Sequence, residues 1–280
     1  MKKDTAKNIL KKRKIDTTKY VSLTIIAIML LVTYLPILVL VVYSFTSSHG
    51  LGTWNGFTLG LYRQVFTNER VMMAMANSLI IAGASSVLAT FLGTATAVGI
   101  FYMRKMPKTI VSGVSRITAF NAPIVTGVGF MLLFTVINFP QSLEGYLTII
   151  IAHTVICTPF VILSVMPRLT QLNPNVYEAG LDLGATHTRT FFTVVMPQLI
   201  SGMISGFMIA FVISLDDFIV LRFIKGDVDT IPSYILERMR VTTPPYIRAV
   251  GTLILAVSLT LLIIVNILAY KRNKKLKQQD

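Results

Sequence analysis

Glu178-Ala179-Gly180-Leu181-Asp182-Leu183-Gly184, followed after nine residues by Val194-Val195-Met196-Pro197, is a polar segment set between long apolar runs. Asn173-Pro174 just upstream supplies a side-chain acceptor for an orphan N–H and a proline whose fixed φ suits the first helical turn. These residues predict a short helix of about three turns, with Glu178 and Asp182 placed towards its positive end. Gly184 can take the left-handed conformation that stops the helix. Thr186 or Thr188 can then cap a second helix carrying Phe191, Phe192 and Val195 up to Pro197, where the next apolar run begins. Helix, glycine break, helix reads as a knob presented to something outside the chain. From polarity alone, an amphipathic helix lying on lipid headgroups is the alternative.

The flanking runs set the fold class. With 54% hydrophobic residues, 14% charged and a mean hydropathy of +0.70, the 280-residue chain falls outside the soluble globular class. Stretches long enough to cross a bilayer occur at about 21–45, 78–102, 117–137, 146–166, 199–221 and 248–270. The expectation is an all-α integral membrane protein of six transmembrane helices occupying 21–270. A basic tail (1–20) precedes them, a second (271–280) follows, and the polar loop spans 167–198. The third span is bordered by Arg116 and Asn121 and interrupted at its start by Pro123, whose freed carbonyl neighbouring helices can satisfy. Lys11-Lys12-Arg13-Lys14 precedes an apolar run too long for a secretory signal, so Val21 to Phe45 reads as a retained first span.

Basic residues resist translocation, so their placement orients the spans. With both termini inside, segments 1–20, 103–116, 167–198 and 271–280 hold 8, 4, 2 and 5 Lys and Arg, a total of 19. The outer segments hold 2, 0 and 5, counting Arg248 at the edge of span six, a total of 7. The asymmetry places the N-terminus, the polar loop and the C-terminus in the cytoplasm, with the chain multi-pass in the cell membrane. The net charge of +14 is then a topology signal and an attraction to anionic lipid, and no nucleic-acid module accompanies it.

Several chemistries have no residues to carry them. No Gly-rich loop ending in Lys-Ser or Lys-Thr occurs, so any ATP is hydrolysed elsewhere. His49, His153 and His187 fall in an outer loop, a span and the cytoplasmic loop, too scattered for a metal cluster or a nucleophile-base pair. The lone Cys157, inside span four, reads as a small buried apolar residue.

The spacing of the polar loop resembles the EAA signature of bacterial ABC importer permeases of type I: EAA, three residues, Gly, nine residues, I-x-L-P. Gly180 stands for the third Ala, Val194 for the Ile and Met196 for the Leu. The resemblance implies a cytoplasmic coupling helix that docks into a groove on a separate ATPase subunit, through Glu178, Ala179, Gly180, Asp182, Gly184, Ala185 and Pro197. It narrows to the second permease subunit of spermidine/putrescine importers. Tyr34 to Phe45 looks like that group's first span, and Trp54-Asn55-Gly56-Phe57-Thr58-Leu59, Tyr62 and Asn77-Ser78-Leu79-Ile80 like its approach to span two. Ala152-His153-Thr154, Thr158-Pro159-Phe160-Val161 and Arg168-Leu169 resemble its span four, and Ser214-Leu215-Asp216-Asp217-Phe218 its span five. Such a permease is expected to pair with a homologous permease, with two ATPase subunits inside that carry ATP and Mg²⁺ and an extracytoplasmic substrate-binding protein outside. This chain itself binds no cofactor. Binding-protein docking is expected on the outer loops around Trp54 to Tyr62 and Asp227 to Tyr246.

Asp216 and Asp217 are the candidate pathway residues. Carboxylates in an apolar span are costly and mark a cavity, a relay or a partner by default. They fall towards the outer third of span five, where a polycationic cargo needs acidic and aromatic groups. Adjacent helical residues point about 100° apart, so one faces the pathway and the other pairs with Arg222, Lys225 or the partner permease. Both serving as interhelical bonds is the structural alternative. The group's PEIV-like start of span three reads Ala122-Pro123-Ile124-Val125 here, and its PEINA-like run before span six reads Pro245-Tyr246-Ile247-Arg248-Ala249. Two acidic positions are thus absent and an arginine is present, which leaves another small solute open as cargo. Ala89, Gly93 and Ala97, and Gly202, Gly206 and Ala210, recur every four residues and predict close helix packing. An ATPase-independent secondary transporter or channel accounts for the spans and aspartates but not for the EAA-like spacing. A membrane-embedded enzyme lacks a metal set or Ser/Lys dyad.

Overall fold

The computed structural model of the chain describes residues 2–46, 53–104, 109–113, 115, 122–241 and 244–276. Among them the elements are helices: α1 (Lys2–Tyr43), α2 (Gly60–Thr67), α3 (Glu69–Tyr102), α4 (Pro123–Val136), α5 (Tyr146–Thr170), α6 (Pro174–Asp182), α7 (His187–Thr190), α8 (Met196–Asp216), α9 (Leu221–Ile224), α10 (Ile231–Val241) and α11 (Tyr246–Leu276). A π-helical turn, Phe191–Val195, joins α7 to α8, so that His187–Asp216 forms one span of 30 residues. Among the described residues five stretches are long and apolar enough to cross a membrane: Lys19–Tyr43, Glu69–Tyr102, Tyr146–Thr170, His187–Asp216 and Tyr246–Ile264.

Of the expected third span, 117–137, the structure describes residues 122–137. Its described helix, α4, holds 14 residues and starts on Pro123, which lacks an N–H and so sits at the first turn. The earlier part of that run, with Arg116 and Asn121, lies outside the described residues, as does His49. Basic tails do not begin as separate elements: α1 starts at Lys2 and α11 continues to Leu276.

The chain divides into two compact units. In the larger, Phe66–Thr243 with Leu255–Asp280, the centre is a three-helix contact of α3, α5 and α8. α3 opens on Asn68, whose side chain accepts the Val71 N–H at 3.3 Å. Ala89 and Ala97 from α3, Val161 and Val165 from α5, and Leu199 and Ala210 from α8 are all fully buried in one cluster. Between lipid-exposed helices hydrophobicity adds little, so close backbone approach carries the packing. A Cβ on Gly93 would lie 2.6 Å from Val161 Cβ, and one on Gly206 would lie 3.1 Å from Val161 Cα. The small-residue stripes predicted from sequence therefore meet on α5. Cys157 donates its thiol to the Ala210 carbonyl at 3.4 Å within this core.

The smaller unit, Met1–Val65 with Pro244–Ile254, is tied by aromatic contacts. Phe45 stacks on Phe57 with centroids 5.2 Å apart, Ser44 Oγ lies 2.7 Å from the Tyr62 hydroxyl, and Arg248 sits over the Tyr43 ring at 5.9 Å. The arginine that appears in the run before span six is thus used in a cation–π contact. Along α1 the apolar side chains from Tyr20 to Leu35 are exposed, as lipid-facing residues are.

Candidate functional site

The EAA-like loop folds as its sequence dictates. Asn173 Oδ1 accepts the Asn175 N–H at 3.1 Å, Pro174 opens α6, and Gly184 adopts φ +83°, a conformation that costs a side-chain-bearing residue about 1–2 kcal/mol. The Gly184 N–H donates to Leu181 O at 2.8 Å and the Ala185 N–H to Gly180 O at 3.3 Å, closing the helix end. Of the two candidate caps, Thr186 is used: its Oγ1 accepts the Arg189 N–H at 3.3 Å. Tyr177 and His187 stack across the break with centroids 6.3 Å apart, and the Tyr177 hydroxyl lies 3.2 Å from His187 Nδ1. One placement is corrected. Asp182 is the last residue of α6, at its negative end, because the helix stops one residue before Leu183 instead of running to Gly184.

Gly180 has a steric reason. A Cβ there would stand 2.8 Å from Thr190 Cγ2, and Thr190 is buried under α6. The residue that departs from the EAA pattern is the one against which the second helix closes. Pro197 follows the π turn: the Met196 N–H donates to Phe191 O, five residues back, where an α register would press the proline ring on the Thr193 carbonyl. Beside the loop, Phe101, Tyr102, Tyr177, Glu178, Val194 and Gln198 help line a cavity of about 240 Å³.

A second and larger cavity, about 430 Å³, opens between α4, α5 and the end of α8. Pro123, Ile156, Phe160, Val212 and Phe218 give it apolar walls, and Asp216 and Asp217 are the two carboxylates on it. The aspartates do not sit inside span five: α8 ends on Asp216, and Asp217 is its C-cap, in extended conformation. This breaks the 100° relation expected of consecutive helical residues. Asp216 is exposed, while Asp217 is half-buried and engaged. Asp217 Oδ1 accepts the Ile219 and Val220 N–H groups at 2.9 and 3.2 Å, bending the chain into α9. Its Oδ2 lies 3.5 Å from His153 Nε2. The expected pairings with Arg222 and Lys225 are not formed; Lys225 binds Asp229 instead.

His153, which the sequence shows only as a lone histidine inside a span, is 1% exposed and central. Its Nδ1 is 2.6 Å from Ser214 Oγ, which is 2.9 Å from Ser85 Oγ, which donates to Ile81 O at 2.7 Å. Three polar side chains thus link α3, α5 and α8. A histidine inside a span was itself the available signal. Among the described residues no group of three or more His, Cys, Asp or Glu is placed to hold a metal ion.

A bundle of apolar helices carrying an external helix-Gly-helix knob, with a carboxylate-bearing cavity at a span end, defines a transmembrane transport subunit of the ABC importer class. The chain belongs to the family described as binding-protein-dependent transport system inner membrane component, which its residues 89–278 match. It is similar to the spermidine/putrescine transport system permease protein PotC of Haemophilus influenzae, 30% identical over 241 residues that cover 86% of this chain and 93% of that one. It is also similar to the putrescine transport system permease protein PotI of Escherichia coli, 34% identical over 230 residues, 79% of this chain and 81% of that one. In fold it matches a bacterial alginate ABC transporter solved in complex with a pentasaccharide-bound periplasmic protein, with TM-score 0.70 and 16% identity, covering 93% of this chain and 96% of that one. The chain is therefore a multi-pass membrane permease subunit of an ABC importer, and the ATPase of such a system is a separate subunit.

Proposed function

We propose that this permease forms, with a homologous permease, the pathway of an importer for polyamines of the spermidine and putrescine class. The observation that carries the reading is the cavity at the end of α8, apolar and aromatic along its walls with Asp216 exposed on it. An extended polycation needs methylene-compatible walls and a carboxylate for each ammonium it seats. That both curated relatives above are polyamine permeases supports the same cargo. Of two ATPase subunits holding ATP and Mg²⁺, one docks on the α6–Gly184–α7 knob through Glu178, Ala179, Gly180, Asp182, Gly184 and Ala185, with Pro197 anchoring the knob to α8. A binding protein delivers cargo outside, and both termini lie in the cytoplasm. Asp216 meets the cargo; Asp217 shapes the wall.

A second reading, a different small solute, draws on Pro123 and Tyr246 at the two positions where the resembling group carries glutamate, and on Arg248 two residues further on. Uptake of radiolabelled spermidine, putrescine and unrelated amines by cells lacking their own polyamine importers, supplied with the whole transporter, separates the two. Saturable spermidine or putrescine uptake that falls at least tenfold in Asp216→Asn is the expected result, in line with about 1.5–3 kcal/mol for a hydrogen bond to a charged group. No polyamine uptake by the assembled wild type would remove the cargo assignment.

A further inference from the structure

The hydrogen-bond chain under the cavity has a direction that its geometry fixes. Ser85 owns one hydroxyl proton, and the 2.7 Å contact with Ile81 O uses it, since two bare oxygens repel at that distance. Ser85 Oγ then accepts from Ser214, whose own proton is spent there, so Ser214 accepts from His153 Nδ1–H. With the proton on Nδ1, a neutral His153 presents a bare Nε2 lone pair. That atom has no hydrogen-bond partner, is buried, and faces Asp217 Oδ2 at 3.5 Å. Lone pair against carboxylate is repulsive, the more so with Nε2 buried. Asp217 Oδ1 is already occupied by two backbone N–H donors, so Oδ2 is the atom left to meet the ring.

We propose that His153 is a positioning residue: one proton shared between its Nε2 and Asp217 Oδ2 locks the turn at 217–220 and leaves Asp216 as the cavity's cargo-facing carboxylate. The inference rests on the cavity being the cargo path for its consequence on uptake, but not for the shared proton. It makes the two adjacent aspartates unequal. Asp217 contributes shape, through a turn whose Ile219 and Val220 line the cavity, and its charge is compensated by the shared proton. Asp216 alone presents an uncompensated charge.

Asparagine at 217 reproduces the protonated pair. Its Oδ1 can keep the two turn N–H groups while its Nδ2 donates to the bare Nε2, which alanine can do in neither respect. The test uses the assembled transporter in proteoliposomes, with spermidine as the probe, and ¹⁵N-histidine labelling of this chain. In a His49→Gln, His187→Gln background His153 is the remaining one of three histidines, so its ring signals need no further assignment. The expected result is a protonated Nδ1 and a hydrogen-bonded Nε2 in the parent and in Asp217→Asn, with Nε2 moving to an unbonded acceptor signal in Asp217→Ala. Uptake should fall further with Asp217→Ala than with Asp217→Asn, since asparagine keeps both the turn and a donor to Nε2. An Nε2 that already reads as an unbonded acceptor in the parent overturns the proposal without any substitution at 217. So does an uptake loss as large in a fully assembled Asp217→Asn transporter as in Asp217→Ala. Wild-type uptake by Asp216→Asn would instead refute the cavity as cargo path, while the ring signals still decide the shared proton.

Discussion

Gly180→Ala restores the third alanine of the EAA pattern, and the structure says that here it harms the loop. The new Cβ would stand 2.8 Å from Thr190 Cγ2 and 3.4 Å from Thr190 Oγ1. Thr190 is β-branched and packed under α6, so its methyl cannot rotate away cheaply. Overpacking of this kind costs about 1–3 kcal/mol. Alanine in place of a helical glycine returns roughly 0.5–1 kcal/mol. The balance is a loss of about 1 kcal/mol, which opens α6 roughly fivefold more often. Thr190→Ser removes the obstructing methyl, so in that background Gly180→Ala should keep only its helix gain and slow opening. Hydrogen exchange of the amides of α6, followed by mass spectrometry in nanodiscs, measures both steps of the cycle. The coupling between the two sites should be about 2 kcal/mol, within the range for residues in contact. If Gly180→Ala slows exchange equally in both backgrounds, the contact with Thr190 is not what excludes alanine.

Glu178→Lys and Gly184→Val should both uncouple transport from ATP hydrolysis while the permease still assembles, the second through about 1–2 kcal/mol of left-handed strain at φ +83°; ATPase assays beside uptake in proteoliposomes check this, and normal coupling in both would remove the knob from the docking site. Gly93→Leu should disrupt the α3–α5 contact, where even a Cβ meets Val161 at 2.6 Å, lowering the yield and melting temperature of detergent-solubilised permease; an unchanged melting temperature would refute the packing role. A reporter active only in the cytoplasm should work when fused after Gln171 and fail after Leu143 or Asp229, and a signal from Asp229 would overturn the orientation.

The loop was legible because its signals are local. Asn173, Pro174, Gly184 and Thr186 each act through their own backbone geometry, so the residue type announces the conformation. The small-residue stripes were legible for a related reason: a period of four on two helices predicts a seam, and both stripes meet Val161. What sequence placed less well depends on where a span stops. Asp216 and Asp217 read as consecutive helical residues, but Asp217 bonds its side chain to Ile219 and Val220 and ends the helix, competition that a polar side chain offers only where the backbone is free to turn. His153 joins residues 61 and 64 positions downstream, and no local pattern records such a meeting.

The π turn at Phe191–Val195 has a consequence for the lengths this segment tolerates. A widened turn is one residue more than α geometry needs, held in place between the knob and Pro197. Deleting any one of those five residues would let the turn tighten to α geometry and leave the helices on either side near their present azimuths, because the wide turn already absorbs the extra residue. Deleting a residue from the regular part of α8 has no such outlet and would rotate one end against the other by about 100°. The place where this 30-residue span can lose a residue and keep its phase is thus the π turn.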